Sequence, residues 1–158
     1  MASSKFSADV ATLSAAFNIL KKTEFRGETT LNVERAAIHD ICLLAKEQLG
    51  YTYLIDLSGV DHFGEEPRFE VVYELYQFDR GDHLRLKIRV SEDLLEVPTV
   101  SDIWSTADWH EREVFDLCGV MFTDHPNLQR ILLSEDWEGH PLRKDYEFPL
   151  EYHGIRGR

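Results

Sequence analysis

Two runs of alternating residues, 68–77 and 83–90, constrain this chain more than any other feature in it. In the first, Phe69, Val71, Tyr73 and Leu75 alternate with Glu70, Val72, Glu74 and Tyr76. In the second, Leu84, Leu86, Ile88 and Val90 alternate with Arg85, Lys87 and Arg89. A period of two belongs to a strand with one buried and one wet face. Residues 79–82, DRGD, supply turn chemistry between the runs, so the pair reads as an antiparallel hairpin. Its wet face sets the acids of one strand against the bases of the next. Such cross-strand pairs fix register and contribute roughly 0.2–1 kcal/mol each. The dry face has to be covered by something else in the chain.

Helical patterns on either side supply the cover. Val10, Leu13, Phe17 and Leu20 recur at helical spacing and predict a helix over 8–22. A short strand is expected over 25–30, weakened by Gly27. Asn32 reads as the N-cap of a second helix, with Glu34 in its first turn and Ala37, Ile41, Leu44 and Leu49 along one face. Gly50 stands where a left-handed residue would close it. Residues 51–60, YTYLIDLSGV, are a third strand pattern, and 91–99 a linker ending near Pro98. Ser101 and Ser105 are both credible N-caps of a third helix that ends at Gly119, with Ser105 and Asp108 resembling a capping box. The expected fold is α+β: a two-layer sandwich of helices on a mainly antiparallel sheet, with an extended C-terminal tail. Residues 1–138 are read as the domain and 139–158 as a partner-docking tail.

Charge and cysteine usage narrow the function. With 17 basic against 29 acidic residues, the net charge of −12 is opposite to that of a bulk nucleic-acid binder and unsuited to an acidic membrane surface. Cys42 and Cys118 form no CxxC pair and fall in different predicted helices, which suits free thiols in a reducing compartment. No apolar run approaches the roughly 20 residues needed to span a bilayer, so membrane association is expected only through a partner.

The unusual residues concentrate in 104–146, which holds Trp104, Trp109 and Trp137 and a dense set of charges. On the third helix Trp104, Ala107, Val114 and Cys118 form one stripe, and Glu111 lies near its centre. A carboxylate there is costly to bury unless paired, and its neighbours His110 and Arg112 face elsewhere. Its partner is therefore expected elsewhere in the fold or on another subunit. The motif HERE, His110 to Glu113, invites a metal or acid–base reading. A zincin needs HExxH and a di-iron bundle needs two ExxH helices, and neither is present, so a structural charge network is the plainer account. His125-Pro126 reads as a turn or extended dipeptide, and one isolated histidine makes no ligand set. Arg130 precedes a short apolar element, Ile131 to Leu133. Arg143, Lys144 and Asp145 have the charges to grip a phosphate but lack a glycine-rich cradle, and salt bridging to a protein partner is simpler. No catalytic, cofactor-binding or metal-binding residue is assigned.

From 139 onward the chain has almost no periodicity, yet it carries Leu142, Tyr146, Phe148, Leu150, Tyr152 and Ile155. Fixing a segment costs about 1–2 kcal/mol per residue. At about 25 cal/mol per Å², even ~20 kcal/mol needs roughly 800 Å² of apolar burial. A small domain covered by its own helices has little such surface free, so the tail reads as an interface.

ADWHEREVFDLCGVMFTDHPNLQRILL followed by WEGHPLRKDY resembles the signature of the 30 kDa subunit of respiratory complex I, the C subunit of the bacterial proton-pumping NADH:quinone oxidoreductase. The resemblance runs from about 51 to 146 and is strongest after Ile103. Its signature positions are Glu111, Arg112, Glu113, Asp116, Gly119, His125, Pro126, Arg130, and the block Gly139, His140, Pro141, Leu142, Arg143, Lys144, Asp145 and Tyr146. The resemblance implies a non-catalytic peripheral-arm subunit that scaffolds the D subunit, the forty-nine-kilodalton component, near the quinone site. Other neighbours would be the B and I subunits and the NADH module. FMN, iron–sulfur clusters, NADH and quinone would sit on other subunits, on the cytoplasmic side of the bacterial inner membrane. Two other readings stay open. One is the same module in a membrane-bound hydrogenase, formate hydrogenlyase, or F420- or ferredoxin-dependent complex. The other is a stand-alone enzyme using His110, Glu111 and Glu113. On the first reading, Glu111 and the Arg143–Asp145 cluster are expected to hold the tail and its partner in register.

Overall fold

A computed structural model describes residues 4–156. The predicted hairpin is its centre: β4 (Phe69–Gln77) pairs antiparallel with β5 (Asp82–Val90), setting Phe69 against Val90, Val71 against Ile88, Tyr73 against Leu86 and Leu75 against Leu84. With β1 (Ile19–Phe25), β2 (Glu28–Val33) and β3 (Tyr53–Asp61) they form a five-stranded sheet in the order β1-β2-β5-β4-β3. All its ladders are antiparallel except β2–β5, which is parallel. The dry face is closed by α1 (Ser4–Ala16), α2 (Ile38–Glu47) and α3 (Ser105–Cys118). Phe6, Leu13, Ile41, Cys42, Ala107 and Val114 meet the inward residues of the strands in one continuous core. The α+β, mainly antiparallel expectation holds.

The wet face is a network of ion pairs at the predicted register. Glu70 stands opposite Arg89 and Glu74 opposite Arg85. Lys87 Nζ reaches Glu70 at 2.8 Å, and Arg85 pairs both with Glu74 and, at 3.1 Å, with Glu28 of β2.

Several boundaries differ from expectation, each for a non-local reason. The first helix stops at Ala16 rather than continuing to 22, and Leu20 lies 60% exposed on β1. The helical spacing through Leu20 is interrupted because the chain turns to pair with β2 across the Arg26-Gly27 turn. Asn32 is not an N-cap: it lies in β2 opposite Lys87, where Leu31 and Val33 are buried by parallel pairing with β5. A 3-10 turn (Arg35–Ala37) then precedes α2. Neither Ser101 nor Ser105 caps α3. Trp104 takes the N-cap position without a side-chain bond because its ring is buried in the core, while the Ser101 hydroxyl bonds to Thr99 at 2.8 Å. The predicted linker contains another 3-10 turn (Glu92–Leu94) and β6 (Glu96–Pro98), which pairs in parallel with β7 (Met121–Thr123) beyond α3.

Adjacent residues of β5 should separate the two faces in stability. Leu86→Ala, opening a cavity in a fully buried site, is expected to cost about 3 kcal/mol, and Lys87→Ala, on the wet face, under about 1 kcal/mol. Urea unfolding of both variants measures the contrast, and equal losses would contradict the two-face assignment.

Candidate functional site

Helix α3 carries two carboxylates on faces that point into protein, and each gathers a different stretch of chain. Glu111, fully buried, accepts from the Val100 N–H at 2.7 Å and from the Thr99 hydroxyl at 2.5 Å. It thus holds the turn that leads into its own helix, and the partner expected for it lies within this chain. Burial pushes its pKa up to about 7, opposed by those two hydrogen bonds. His125, whose side chain is also fully buried, stands 3.8 Å away with Nε2 3.1 Å from Asp108 Oδ1. The Asn127 N–H donates to His125 Nδ1 at 3.0 Å, which leaves the ring proton on Nε2.

Asp116 does more. It accepts from the N–H groups of Ile131, Leu132 and Leu133 at 3.1, 2.8 and 2.9 Å and pairs with Arg130 at 3.3 Å. Three successive amides turned on one carboxylate give order to a stretch with no regular secondary structure.

The C-terminus of α3 explains the GHPLRKDY block. A helix leaves its last four carbonyls without intrahelical donors. Here Phe115 O takes the Gly119 N–H, Asp116 O takes His140 Nδ1, Leu117 O takes the Leu142 N–H and Cys118 O takes Arg143 Nε, all at 2.8–3.0 Å. The arginine also places a cation at the negative end of the helix. Burial lowers the His140 pKa, which suits a neutral ring donating from Nδ1. Gly119 makes this closure possible: its φ of +80° is left-handed, and a Cβ there would stand 2.5 Å from Arg143 Nη2 and 2.7 Å from the His140 ring. Gly139 serves the same segment, since a Cβ would lie 2.6 Å from the Tyr146 ring, whose hydroxyl donates to Glu138 O at 3.0 Å.

The block is tied to the sheet as well. Arg68, with a side chain 6% exposed, reaches Asp61 through Nε and Nη2 at 2.8 Å each, Glu92 at 3.0 Å and Asp145 at 2.5 and 3.1 Å. The Lys144 N–H donates to Asp61 at 2.8 Å. The Arg68 guanidinium holds both Asp61 and Asp145 below the usual carboxylate range. Arg68 and Arg143 each pack on the Phe69 ring.

Most of the signature positions fall into three groups. Asp116, Gly119, Arg130, Gly139, His140, Leu142 and Arg143 converge on the C-terminal half of α3. Asp145 and Lys144 sit at Arg68. Glu111 and His125 lie toward the other end of the helix. Arg112 donates to Gln129 O at 3.1 Å and Glu113 lines a small crevice beside Asp56, while Pro141 and Tyr146 flank the helix closure. The motif HERE does not converge: His110 points to Asp56 at 3.5 Å while Glu111 points inward. No group of three His, Cys, Asp or Glu side chains among the described residues is placed to hold a metal. Burial pushes the Cys118 thiol up to about 11, far from thiolate chemistry near neutrality. Sequence reading missed Thr99, Asp61, Arg68 and Glu92. The opposite charges of Asp61 and Arg68 flanking a loop were the one available sign of their pairing.

Residues 31–152 match the family model for the respiratory-chain NADH dehydrogenase 30 kDa subunit. The C subunit of the NADH-quinone oxidoreductase of Geobacter sulfurreducens is 52% identical over 137 residues, covering 86% of this chain and 83% of that protein. A trypsin-resistant fragment (1-134) of Nqo5 superposes with a TM-score of 0.66 at 28% identity, covering 78% of this chain and 99% of the fragment. A chain of a membrane-bound sulfane sulfur reductase, an archaeal respiratory membrane complex, gives a TM-score of 0.77 at 26% identity over 90% of this chain and 86% of that one.

Two substitutions probe the α3 carboxylates. Glu111 binds its proton more tightly folded, near pH 7, than unfolded, near 4.5. Its contribution is full below about 4.5 and lost as pH rises through about 7. Glu111→Gln keeps an acceptor for Val100 and a donor for Thr99 but cannot ionise. Wild type should therefore lose about 3 kcal/mol relative to the variant between those pH values, read by urea unfolding across pH. Asp116→Ala strands three amides and should cost about 3 kcal/mol, with amide exchange accelerated at Ile131, Leu132 and Leu133.

Proposed function

The chain belongs to the family of the respiratory-chain NADH dehydrogenase 30 kDa subunit, and on that footing we propose that it is the non-catalytic C subunit of a proton-translocating NADH:quinone oxidoreductase. In this role it scaffolds the D subunit near the quinone site. The observation that carries the reading is the family match across 31–152, which takes in both α3 and the block that closes it. The polar side chains of that region support a structural task. Glu111, Asp116, Arg68, His140 and Arg143 are engaged in holding segments of this chain together.

Beyond Tyr146 the chain presents material for a partner. Phe148, Leu150 and Ile155 are 65%, 89% and 74% exposed, and a two-strand hairpin of β8 (Glu151–Tyr152) and β9 (Ile155–Arg156) carries the last described residues. Exposed apolar groups of this kind favour an interface. The docking tail thus starts in practice after a clamp: residues 139–146 bind their own domain, and 147–156 offer the contact surface to the D subunit. The signature residues act on the partner through the clamp, by fixing where that surface begins. FMN, iron–sulfur clusters, NADH and quinone belong to the other subunits, including B, I and the NADH module. Among the described residues no helix is long and apolar enough to cross a membrane. The chain would reach the cytoplasmic face of the inner membrane through the complex.

The likeness to a chain of a sulfane sulfur reductase complex favours a second reading, the same module in a relative that uses another electron donor. Affinity purification of the tagged chain from gently solubilised membranes decides between them. Recovery of a D-type subunit with flavin and iron–sulfur NADH-module subunits is expected. Recovery of the D-type partner without that module moves the assignment to the second reading. A chain that purifies alone overturns both.

A further inference from the structure

The block 136–152 lines a concavity of about 520 Å³ that is open to solvent on one side. Three rings wall it: Trp137 and Tyr152, with centroids 4.8 Å apart, and Tyr146, which Gly139 admits. Four carboxylates, Asp136, Glu138, Glu147 and Glu151, complete the lining with Gly139 and Pro149, and no basic residue takes part; Glu151 lies 4.0 Å from the exposed Arg156. Asp136 is engaged by the Tyr152 hydroxyl and the His153 ring at 2.8 Å each. Glu138 and Glu147 have no ion-pair partner among the described residues. Aromatic faces beside free carboxylates are the chemistry that receives a cation.

We propose that this cavity receives an arginine or lysine side chain from a polypeptide partner. Charge complementarity commits the occupant: an anionic, ring-walled pocket on a chain of net charge −12 repels acidic groups and attracts basic ones. The volume exceeds that of a bare guanidinium and suits a side chain together with its backbone. Exposed Phe148, Leu150 and Ile155 sit on the same segment, giving a polar anchor amid apolar contacts. The inference rests on the assembly reading only in taking its occupant from another protein chain.

Indole NMR of the full chain tests it. The ¹⁵N-labelled protein is titrated with acetyl-Gly-Arg-Gly-amide and, separately, with the isosteric neutral citrulline peptide. The expected result is a saturable shift of the Trp137 indole peak with the arginine peptide and at least tenfold weaker response to citrulline, with Trp104 and Trp109 unmoved. Glu138→Gln/Glu147→Gln/Glu151→Gln should weaken the arginine response at least tenfold. These side chains are exposed, and the citrulline comparison stands without the variant. No shift at Trp137, or equal response to both peptides, overturns the proposal. A positive titration with a chain that purifies alone from membranes would retain the cavity and remove the assembly reading. Full co-purification with a null titration would do the reverse.

Discussion

The C-terminal end of α3 places a demand on the fold that only distant chain can meet. Four carbonyls emerge together at the negative pole of a helix packed on β3, and water is a poor substitute where protein already covers them. His140, Leu142 and Arg143 answer three of the four from more than twenty residues away, in a segment with no secondary structure to hold it. The exchange is mutual: the helix end gains donors, and the segment gains a template. Arg68 repeats the logic from the sheet, because a buried guanidinium needs several acceptors and one of them, Asp145, comes from that same segment. Order in a stretch without periodicity thus comes from polar groups already fixed by the rest of the domain.

This division explains what could be read from residues alone. The β4–β5 hairpin was legible because its cause is local: alternation gives the faces, DRGD gives the turn, and opposite charges give the register. The α2 start was misplaced because Asn32 has the chemistry of a cap, and the parallel pairing that claims it comes from β5, more than fifty residues on. Trp104 displaced the serines at the head of α3 because burying an indole outweighs a hydroxyl cap. At the site, Glu111 betrayed itself as a carboxylate on an apolar stripe, but Thr99 and the Val100 amide gave no sign in advance, since a main-chain donor has no sequence signature. Arg143 and Asp145 were legible as charges. Their targets, a helix terminus and Arg68, exist only after folding.

Family membership and physical reading meet at this point. The GHPLRKDY block earns its specificity residue by residue: a glycine that admits a ring, a histidine and an arginine that close a helix, an aspartate for a buried guanidinium. Each of these tasks fixes the position of a segment of this chain. Past the clamp the surface changes in kind: Phe148, Leu150 and Ile155 are exposed, while Tyr152 and His153 tie the segment back to Asp136.

The two faces of the sheet also respond oppositely to heat. Apolar burial gives a stabilisation per unit area that levels off as temperature rises, whereas the cost of stripping water from charges falls. On the wet face Glu70 is shared by Lys87 and Arg89, and Arg85 by Glu74 and Glu28, so the pairs form a network rather than isolated contacts. In the cold such a network contributes little beyond register. Near the melting temperature it carries a growing share of what keeps the strands together, and the same sheet is then held increasingly from outside.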